Sequence, residues 1–280
     1  MAEVVLLPRV FRQAIFPVLL LVASCAPKPE QPPTARLIAE KAVAATPAPA
    51  KPATAKPQGP AATPRASSTT LSGIPITAVT FDSRSHQLVV ADQPGGPGSQ
   101  WPDAHAAAAS RNGLAAVNGG FFTPEGGPLG LVIAGGKRAG SMNRASSLGA
   151  GLFVDDGSPA LVRRESGGTG GELLQSGPFL VENGRAIAGL SPESSTARTF
   201  LGWDGACGWF IARSGPCSLA DLAKALDGAE IGGISCHVVL NLDGGRSSDL
   251  WAGSSVVGGP ISQRPFWNKP VRNFLVLLPR

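Results

Sequence analysis

From residue 71 to the end of the chain, short alternations of apolar and polar residues are separated by glycine-rich turns. The segments 76–82 (ITAVTFD) and 86–92 (HQLVVAD), joined by Ser-Arg-Ser, predict a β-hairpin that opens the domain. Asn183-Gly184 is the strongest two-residue hairpin signal in the chain. Further strand-and-turn segments are predicted at 130–140, 152–162, 173–187 and 197–215.

Two short helices interrupt this pattern. Asp103 is a predicted N-cap for 102–113, and Ser218 with Asp221 three residues later predicts the start of a helix over 218–226. That helix lies between predicted strands at 208–213 and 236–242, which suggests a β-α-β unit. Many short strands with few helices predict a single α+β domain at 71–280, built on an extended, mainly antiparallel sheet.

The N-terminal segment has the pattern of a bacterial secretion signal. Residues 9–25 place two arginines before an apolar stretch that ends in small residues. Val22-Ala23-Ser24-Cys25 resembles a lipobox, so we predict a signal peptide at 1–24 and a lipid on Cys25 that anchors the chain in a membrane. An ordinary cleavable signal or an uncleaved anchor is the alternative.

Residues 25–70 predict a disordered linker. After Cys25 the segment is dominated by Pro, Ala, Lys, Thr and Ser and has almost no large apolar side chains, so it cannot bury enough surface to offset its ordering entropy. Lys and Arg exceed Asp and Glu by four over 26–70, whereas each pair counts 16 over 71–280. The basic charge therefore belongs to the tail, and we predict no nucleic-acid partner.

The cysteines and histidines indicate no metal site. Cys207, Cys217 and Cys236 remain if Cys25 is lipidated, and the predicted β-α-β unit would bring Cys207 and Cys236 to the same end of neighbouring strands. These two are the favoured disulfide in an oxidising compartment. The Cys and His residues lack zinc spacing, and the three histidines are scattered, so we expect structural or surface roles for them.

Two glycine turns follow apolar strands and carry candidate chemistry. The stretch 241–248 (NLDGGRSS) directly follows Val238-Val239-Leu240 and supplies a carboxylate, two glycines, an arginine and two hydroxyls. The stretch 116–122 (AVNGGFF) has the same design, with Asn118 in place of the aspartate. Two such strand ends could share one cleft, while a simple tight turn explains either stretch alone.

Six segments of the chain resemble the phosphodiester glycosidase family, in the order that the family shows. They are AVNGGFF (116–122), PLGLVIAGGK (128–137), LLQSGPFLVENG (173–184), ARTFLGWDG (197–205), SLADLAKAL (218–226) and NLDGGRSS (241–248). The resemblance implies a hydrolase that cleaves between a sugar's anomeric carbon and a phosphodiester oxygen. Arg246 stands where the family commonly has a third small residue after LDGG.

The resemblance and the residue chemistry together predict the site. Asp243 is the carboxylate that stabilises an oxocarbenium-like transition state. Arg198 and the N–H groups of Gly244 and Gly245 are expected to stabilise the phosphate. Asn118 is assigned to sugar hydroxyls or to a water molecule. The remaining substrate-binding candidates are Gly119, Gly120, Gln175, Ser247, Ser248 and Trp251.

This interpretation implies a sugar-phosphate or glycan substrate in the bacterial cell envelope, reached from an outer-membrane lipoprotein that faces the periplasm or the exterior. No cofactor is required, although a divalent cation such as calcium on Asp243 and carbonyl oxygens stays open. A non-catalytic glycan-binding lipoprotein of the same fold is the alternative. A serine hydrolase is disfavoured because GxSxG is absent from the sequence.

Overall fold

A computed structural model describes residues 62–280, which are mostly β-structure. The strands in chain order are β1 (Arg65–Leu71), β2 (Ile74–Asp82), β3 (His86–Asp92), β4 (Ala115–Asn118), β5 (Val132–Ala134), β6 (Lys137–Ala139), β7 (Gly151–Asp155), β8 (Ala160–Arg163), β9 (Glu172–Ser176), β10 (Phe179–Glu182), β11 (Arg185–Ala186), β12 (Thr199–Trp203), β13 (Gly208–Ser214), β14 (Glu230–Ile231), β15 (Ile234–Ser235), β16 (Val238–Asn241), β17 (Leu250–Ala252), β18 (Ile261–Ser262) and β19 (Asn273–Pro279). The predicted signal peptide, Cys25 and most of the predicted linker lie outside the described residues.

Two helices accompany the strands, α1 (Ala104–Ala109) and α2 (Leu219–Leu226). Both begin at the predicted caps, because the Asp103 carboxylate accepts the N–H of Ala106 and the Ser218 hydroxyl accepts the N–H of Asp221. In this part of the chain, no helix has the length and apolar character needed to cross a membrane. The 3₁₀ turns are Ser147–Gly149, Arg164–Ser166 and Gly245–Ser247.

Sheet A has seven antiparallel strands in the order β1-β2-β13-β12-β16-β10-β11. Side chains alternate between its two faces, as β13 illustrates. Trp209 and Ile211 point into the central core, whereas Phe210 and Ala212 pack with Leu222 and its neighbours in α2. Strands β13 and β16 are apolar on both faces because α2 and its neighbours cover one face and the central core covers the other.

Two five-stranded antiparallel sheets and a two-stranded ribbon of β14 and β15 complete the domain. Sheet B has the order β18-β17-β4-β19-β3 and is covered on its outer face by α1, and sheet C has the order β6-β5-β9-β7-β8. One apolar cluster joins the three sheets, for example through Leu240 of sheet A, Val117 of sheet B and Phe153 of sheet C. The predicted α+β class with mainly antiparallel sheet is thereby confirmed.

Two local predictions were wrong. Strands β2 and β3 form no hairpin, because β2 pairs with β1 and β13 in sheet A while β3 pairs with β19 in sheet B. The Ser-Arg-Ser connection thus leads from one sheet to another. The domain also begins earlier than residue 71, because β1 starts at Arg65 and pairs along its whole length with β2.

The predicted Cys207–Cys236 disulfide is absent, and among the described residues Cys207, Cys217 and Cys236 are free thiols. The reason is the strand order, since β12 lies between β13 and β16. The residues that precede β13 and β16 are therefore two strand spacings apart. This distance is about 9–10 Å, which is more than a disulfide spans. Cys236 packs in the apolar cluster beneath α2, whereas burial and the nearby Asp82 raise the pKa of the Cys207 thiol on the β12–β13 turn.

Candidate functional site

The ends of β4 and β16 meet at Asp243. The backbone N–H of Asp243 donates to the carbonyl of Gly119 at 3.0 Å. Its carbonyl accepts from Asn118 Nδ2 and from Thr199 Oγ1, both at 2.7 Å. These three bonds tie the glycine turn after β16 to the glycine turn after β4 and to the start of β12. The main chain of Asp243 is therefore fixed from both sheets.

The carboxyl group of Asp243 is held by its own turn. It accepts hydrogen bonds from the Ser247 hydroxyl and the Gly244 backbone N–H. Burial raises its pKa to about 6, and the two hydrogen bonds act in the opposite direction. This carboxyl group therefore changes its charge close to neutral pH, which suits a residue that exchanges a proton.

Arg198 lies beside the same turn. Its Nε donates to the carbonyl of Cys217 at 3.2 Å and its Nη2 to the carbonyl of Ser194 at 2.6 Å. A Cβ atom on Gly244 would lie 3.5 Å from Cδ and 3.6 Å from Nη1 of Arg198, which is van der Waals contact, so the arginine side chain lies directly against this glycine. Burial lowers the pKa of the guanidinium, yet within residues 62–280 Arg198 has no carboxylate in ion-pair distance.

Asn118 and Gln175 serve the fold rather than an open site. Asn118 is fully buried, and its Oδ1 accepts the N–H of Asp249 at 3.0 Å while its Nδ2 holds Asp243. Gln175 uses both side-chain atoms on backbone groups of Leu131, Asn143 and Gly149. The predicted contacts of these two side chains with substrate are therefore wrong for this arrangement.

The glycines of the first turn permit close packing. Gly119 and Gly120 are buried, and a Cβ atom would lie 2.2 Å from Asn273 Oδ1 at Gly119 and 2.7 Å from the Gln175 carbonyl oxygen at Gly120. The Gly120 N–H donates to Asn273 Oδ1 at 2.8 Å. Close packing therefore accounts for both glycines, and a substrate contact at either one stays a prediction.

Of the predicted anion nest, only the Gly245 N–H is engaged by a neighbouring segment, because it donates to the carbonyl of Ala197 at 2.8 Å. The Gly244 N–H lies by the Asp243 carboxyl and helps to lower the pKa of that group, so a phosphate contact at Gly244 stays a prediction. Gly245 adopts a φ of +61°, which the turn requires and which glycine allows without strain. The turn also presents the carboxyl group of Asp243.

Ser248 and Trp251 likewise have protein partners. Ser248 is fully buried, and its hydroxyl donates to the carbonyl of Ala197 at 3.1 Å, so the predicted phosphate contact is wrong. Trp251 stacks on His105 of α1 with ring centroids 4.7 Å apart, on the outer face of sheet B. Of the predicted residues, the structure therefore brings together Asp243, Arg198 and Ser247 around Gly244.

Sequence reasoning missed a second carboxylate in the same segment. Asp249 is only 3% exposed, accepts the N–H of Ala104 at 2.8 Å, and forms an ion pair with Arg264 Nε at 3.1 Å. Burial raises its pKa to about 6. Its partners lie far along the chain, at the start of α1 and after β18, and no local pattern marks them.

A pair of exposed aromatic side chains was also missed. Phe266 is 91% exposed and Trp267 is 56% exposed. Arg246 holds this segment, because its Nε and Nη2 donate to the carbonyl of Trp267 at 3.2 and 3.0 Å and its own carbonyl accepts the N–H of Lys269 at 3.0 Å. Arg246, unexplained from the sequence, thus fixes an aromatic segment against the Asp243 turn.

Comparisons with known proteins agree with this architecture. The catalytic domain of zebrafish N-acetylglucosamine-1-phosphodiester alpha-N-acetylglucosaminidase, auto-inhibited by pro-peptide, superposes with a TM-score of 0.54 at 17% identity over 78% of this chain and 82% of that chain. A hypothetical protein from Synechocystis gives a TM-score of 0.52 at 17% identity over 80% and 64%. These two superpositions establish a shared fold.

No curated protein matches the chain. The family model of the phosphodiester glycosidases matches residues 111–278, which is more than half of the chain and includes both glycine turns, Arg198 and Asp243. The chain therefore belongs to the phosphodiester glycosidase family.

Proposed function

We propose that the protein hydrolyses the bond between the anomeric carbon of a sugar and a phosphodiester oxygen in envelope or extracellular glycans. One observation carries this proposal. Asp243 and Arg198 flank Gly244 as a carboxylate and a cation that make no ion pair with each other within residues 62–280. Opposite charges held apart by the surrounding bonds suit a substrate that develops positive charge at a sugar carbon and negative charge on phosphate.

In the proposed reaction Asp243 acts as the carboxylate at neutral pH, because its pKa lies at about 6. A water molecule attacks the anomeric carbon and gives its proton to Asp243. The bond from that carbon to oxygen breaks, and the electron pair leaves with the phosphate. The products are the free sugar and a phosphomonoester. The phosphate is already a good leaving anion, so it needs charge stabilisation more than a proton.

Arg198 is the group proposed to supply that stabilisation. Its Nε and Nη2 are oriented by the carbonyls of Cys217 and Ser194, which leaves Nη1 beside Gly244 for a phosphate oxygen. A guanidinium suits this role because it is planar, permanently charged and rich in donors. The orienting bonds remove most of the side-chain freedom before the substrate arrives.

We assign to Trp267, in contact with the sugar, the substrate-binding role that the sequence predicted for Trp251. Its ring is more than half exposed on the segment that Arg246 holds, whereas the ring of Trp251 is stacked on His105. An indole face offers a sugar ring a large rigid contact area. We propose that Trp267 and Phe266 form the rim of the substrate site.

A turnover assay with synthetic sugar phosphodiesters tests the proposal. Arg198→Gln is expected to lower kcat/KM by about 10²–10³-fold, as for the loss of one charge-stabilising donor. Arg164→Gln is the matched control, because Arg164 is also half-buried and donates to backbone carbonyls, at Asn143 and Ser146, but is not among the residues beside Gly244. Equal losses in both variants would contradict a specific role for Arg198.

The alternative function, glycan binding without catalysis, predicts a different outcome. Polysaccharide binding that persists while no sugar phosphodiester is turned over would remove the enzyme proposal. The proposed reaction requires no cofactor. Retained turnover after exhaustive chelation would support that, whereas loss of turnover that calcium restores would assign a divalent cation to the site.

Membrane tethering belongs to the proposal as well. Cys25 lies outside the described residues, so the lipid anchor and the outer-membrane location rest on the lipobox-like segment alone. Cys25→Ser should move the protein from the membrane fraction to the soluble fraction. A variant that stays in the membrane fraction would exclude lipidation of Cys25 as the anchor.

A further inference from the structure

A polar cavity of about 340 Å³ lies against the edge of sheet A, and its lining does not include Asp243. Its lining includes Ser68 of β1, Thr77 of β2, Arg213 of β13 and Gln263 after β18. Strands β1 and β2 precede residue 111, where the family match begins. This cavity is therefore built partly from a portion of the chain that the family model does not cover.

Arg213 is an exception among the arginines of the described residues. It is half-buried, its Nε is fully buried without a hydrogen-bond partner, and the guanidinium makes no ion pair within residues 62–280. Every other half-buried or buried arginine there donates to a side chain or a carbonyl. These are Arg111, Arg164, Arg198, Arg264 and Arg272.

The strand register places hydroxyl groups beside this guanidinium. Ser68 lies opposite Thr77, and Thr77 lies opposite Arg213 across the next strand pair. Residues directly opposite each other share one face of the sheet, with Cβ atoms about 4.5–5.5 Å apart. The Ser68 and Thr77 hydroxyls are 3.0 Å apart, so one of them donates to the other. The accepting hydroxyl keeps its own hydrogen, which can point to a third group.

The carboxylate that acts on Arg213 already has other bonding partners. Asp249 acts electrostatically on Arg213 but is bonded to Arg264 and to the N–H of Ala104. Burial lowers the pKa of the Arg213 guanidinium, which is the response of a cation removed from water without a partner. Such a side chain costs free energy in the folded protein, and a bound anion would offset that cost.

We propose that this cavity is a second anion-binding site, which takes a phosphate group on the Arg213 guanidinium with the Ser68 and Thr77 hydroxyls as further donors. Phosphate accepts several hydrogen bonds at once, and a guanidinium fork binds two of its oxygens. The site is distinct from the one around Arg198. The two are nevertheless neighbours, because Ser214 lines the cavity and its hydroxyl accepts the backbone N–H of Arg198 at 3.3 Å.

Titration calorimetry with inorganic phosphate on the full chain tests the proposal. The measurement is made in an Arg198→Gln background, so that the proposed catalytic site contributes no guanidinium. In that background, adding Arg213→Gln is expected to weaken phosphate binding at least about tenfold, the effect of losing one charge-assisted contact. Adding Arg138→Gln, which removes an exposed arginine of β6, is expected to leave binding unchanged.

Thermal denaturation supplies a second measurement. Without phosphate, Arg213→Gln should keep or raise the Tm, because the guanidinium has no partner to lose, and phosphate should raise the Tm of the parent but not of this variant. The paired change Ser68→Ala and Thr77→Ala should weaken binding less than Arg213→Gln. Phosphate binding that is unaffected by Arg213→Gln, or absent from the parent, overturns the proposal.

A parallel titration with a sugar 1-phosphate distinguishes a phosphorylated sugar from free phosphate as the ligand of this cavity. Tighter binding of the sugar phosphate identifies a phosphorylated sugar as the ligand, and equal binding identifies free phosphate. Acetate that binds as tightly as phosphate overturns the phosphate assignment. The proposed hydrolysis is assayed separately in protein with Arg198 intact, so failure of either proposal leaves the other measurable.

Discussion

Asp243 and Asp249 lie six residues apart in one segment, and burial raises the pKa of each to about 6. Their partners differ. Asp249 bonds to the N–H of Ala104 and pairs with Arg264, so it joins the start of α1 to the segment after β18. Asp243 bonds to Gly244 and Ser247 within its own turn. A raised pKa is common to both, and only the partners distinguish the two carboxyl groups.

The nearby cations sharpen this difference. Arg264 lies 3.1 Å from Asp249, whereas Arg198 lies along Gly244 and donates to carbonyls instead of to Asp243. A carboxylate paired with a cation has its charge compensated by the protein. A carboxylate next to an unpaired cation leaves both charges for a ligand. Under the proposed function, Asp249 therefore has the structural role and Asp243 the chemical one.

The largest expected effect separates the two residues by activity. Asp243→Asn preserves the shape of the side chain and removes the group that accepts the proton, so kcat/KM should fall about 10²–10⁴-fold. Asp249→Asn should keep most of the activity, because its partners lie at α1 and Arg264. The measurement is turnover of a sugar phosphodiester by both folded variants. Wild-type turnover in Asp243→Asn would take this residue out of the mechanism.

Stability should show the reverse order when alanine replaces each residue. Asp249→Ala leaves the N–H of Ala104 without its acceptor and the 21% exposed Arg264 without its paired carboxylate, which should lower the free energy of unfolding by about 3 kcal/mol. Asp243→Ala should cost on the order of 1 kcal/mol, since Ser247 and Gly244 are half-buried and can turn to water. Urea denaturation of both variants provides the comparison. Equal losses would remove the structural assignment of Asp249.

The sequence predicted the parts of this picture that depend on local pattern. Alternating apolar residues and glycine turns identified most strands, and the caps at Asp103 and Ser218 identified both helices. The proximity of Asp243 and Arg198 was likewise predictable, because each sits in a short segment with the family's spacing, whereas their catalytic roles stay predictions. A strand, a cap and a motif each depend on a few consecutive residues.

What the sequence missed depends on distant contacts. The partners of β2 and β3, and the strand that separates Cys207 from Cys236, follow from sheet order. Asn118 and Gln175 have the chemistry of ligand-binding residues, and only burial shows that their amides are bonded to backbone groups. Asp249, Arg213 and Trp267 gave no local signal, because a missing or remote partner is visible only in three dimensions.

The pH dependence of activity should follow Asp243 alone. In the proposed mechanism the active form is the carboxylate, so kcat/KM should rise as pH increases through about 6 and level off above it. Asp249→Asn should retain this rise, and Asp243→Asn should lose it in the residual activity. A rise that persists in Asp243→Asn and disappears in Asp249→Asn would reverse our assignment.

Stability should respond to pH in the opposite direction. The pKa of each carboxyl is raised from 3.8 to about 6 in the folded state, so the folded protein binds protons more tightly than the unfolded chain. Their contribution to stability is therefore fully present below about pH 4 and is lost as pH rises through about 6. Urea denaturation across this range should show a smaller loss in either asparagine variant than in the wild type.

The smallest expected effect concerns the hydroxyl that Asp243 has and Asp249 lacks. The Ser247 hydrogen bond lowers the pKa of Asp243, so Ser247→Ala should move the rising limb of kcat/KM to higher pH by less than about one unit. At pH 6 this limits the loss in rate to less than about sixfold, with the plateau unchanged. Ser248→Ala is the matched control, because that hydroxyl donates to the carbonyl of Ala197. If both variants shift the limb equally, the hydroxyls act through the turn as a whole; if only Ser247→Ala shifts it, the bond to the carboxyl sets the pKa at which Asp243 works.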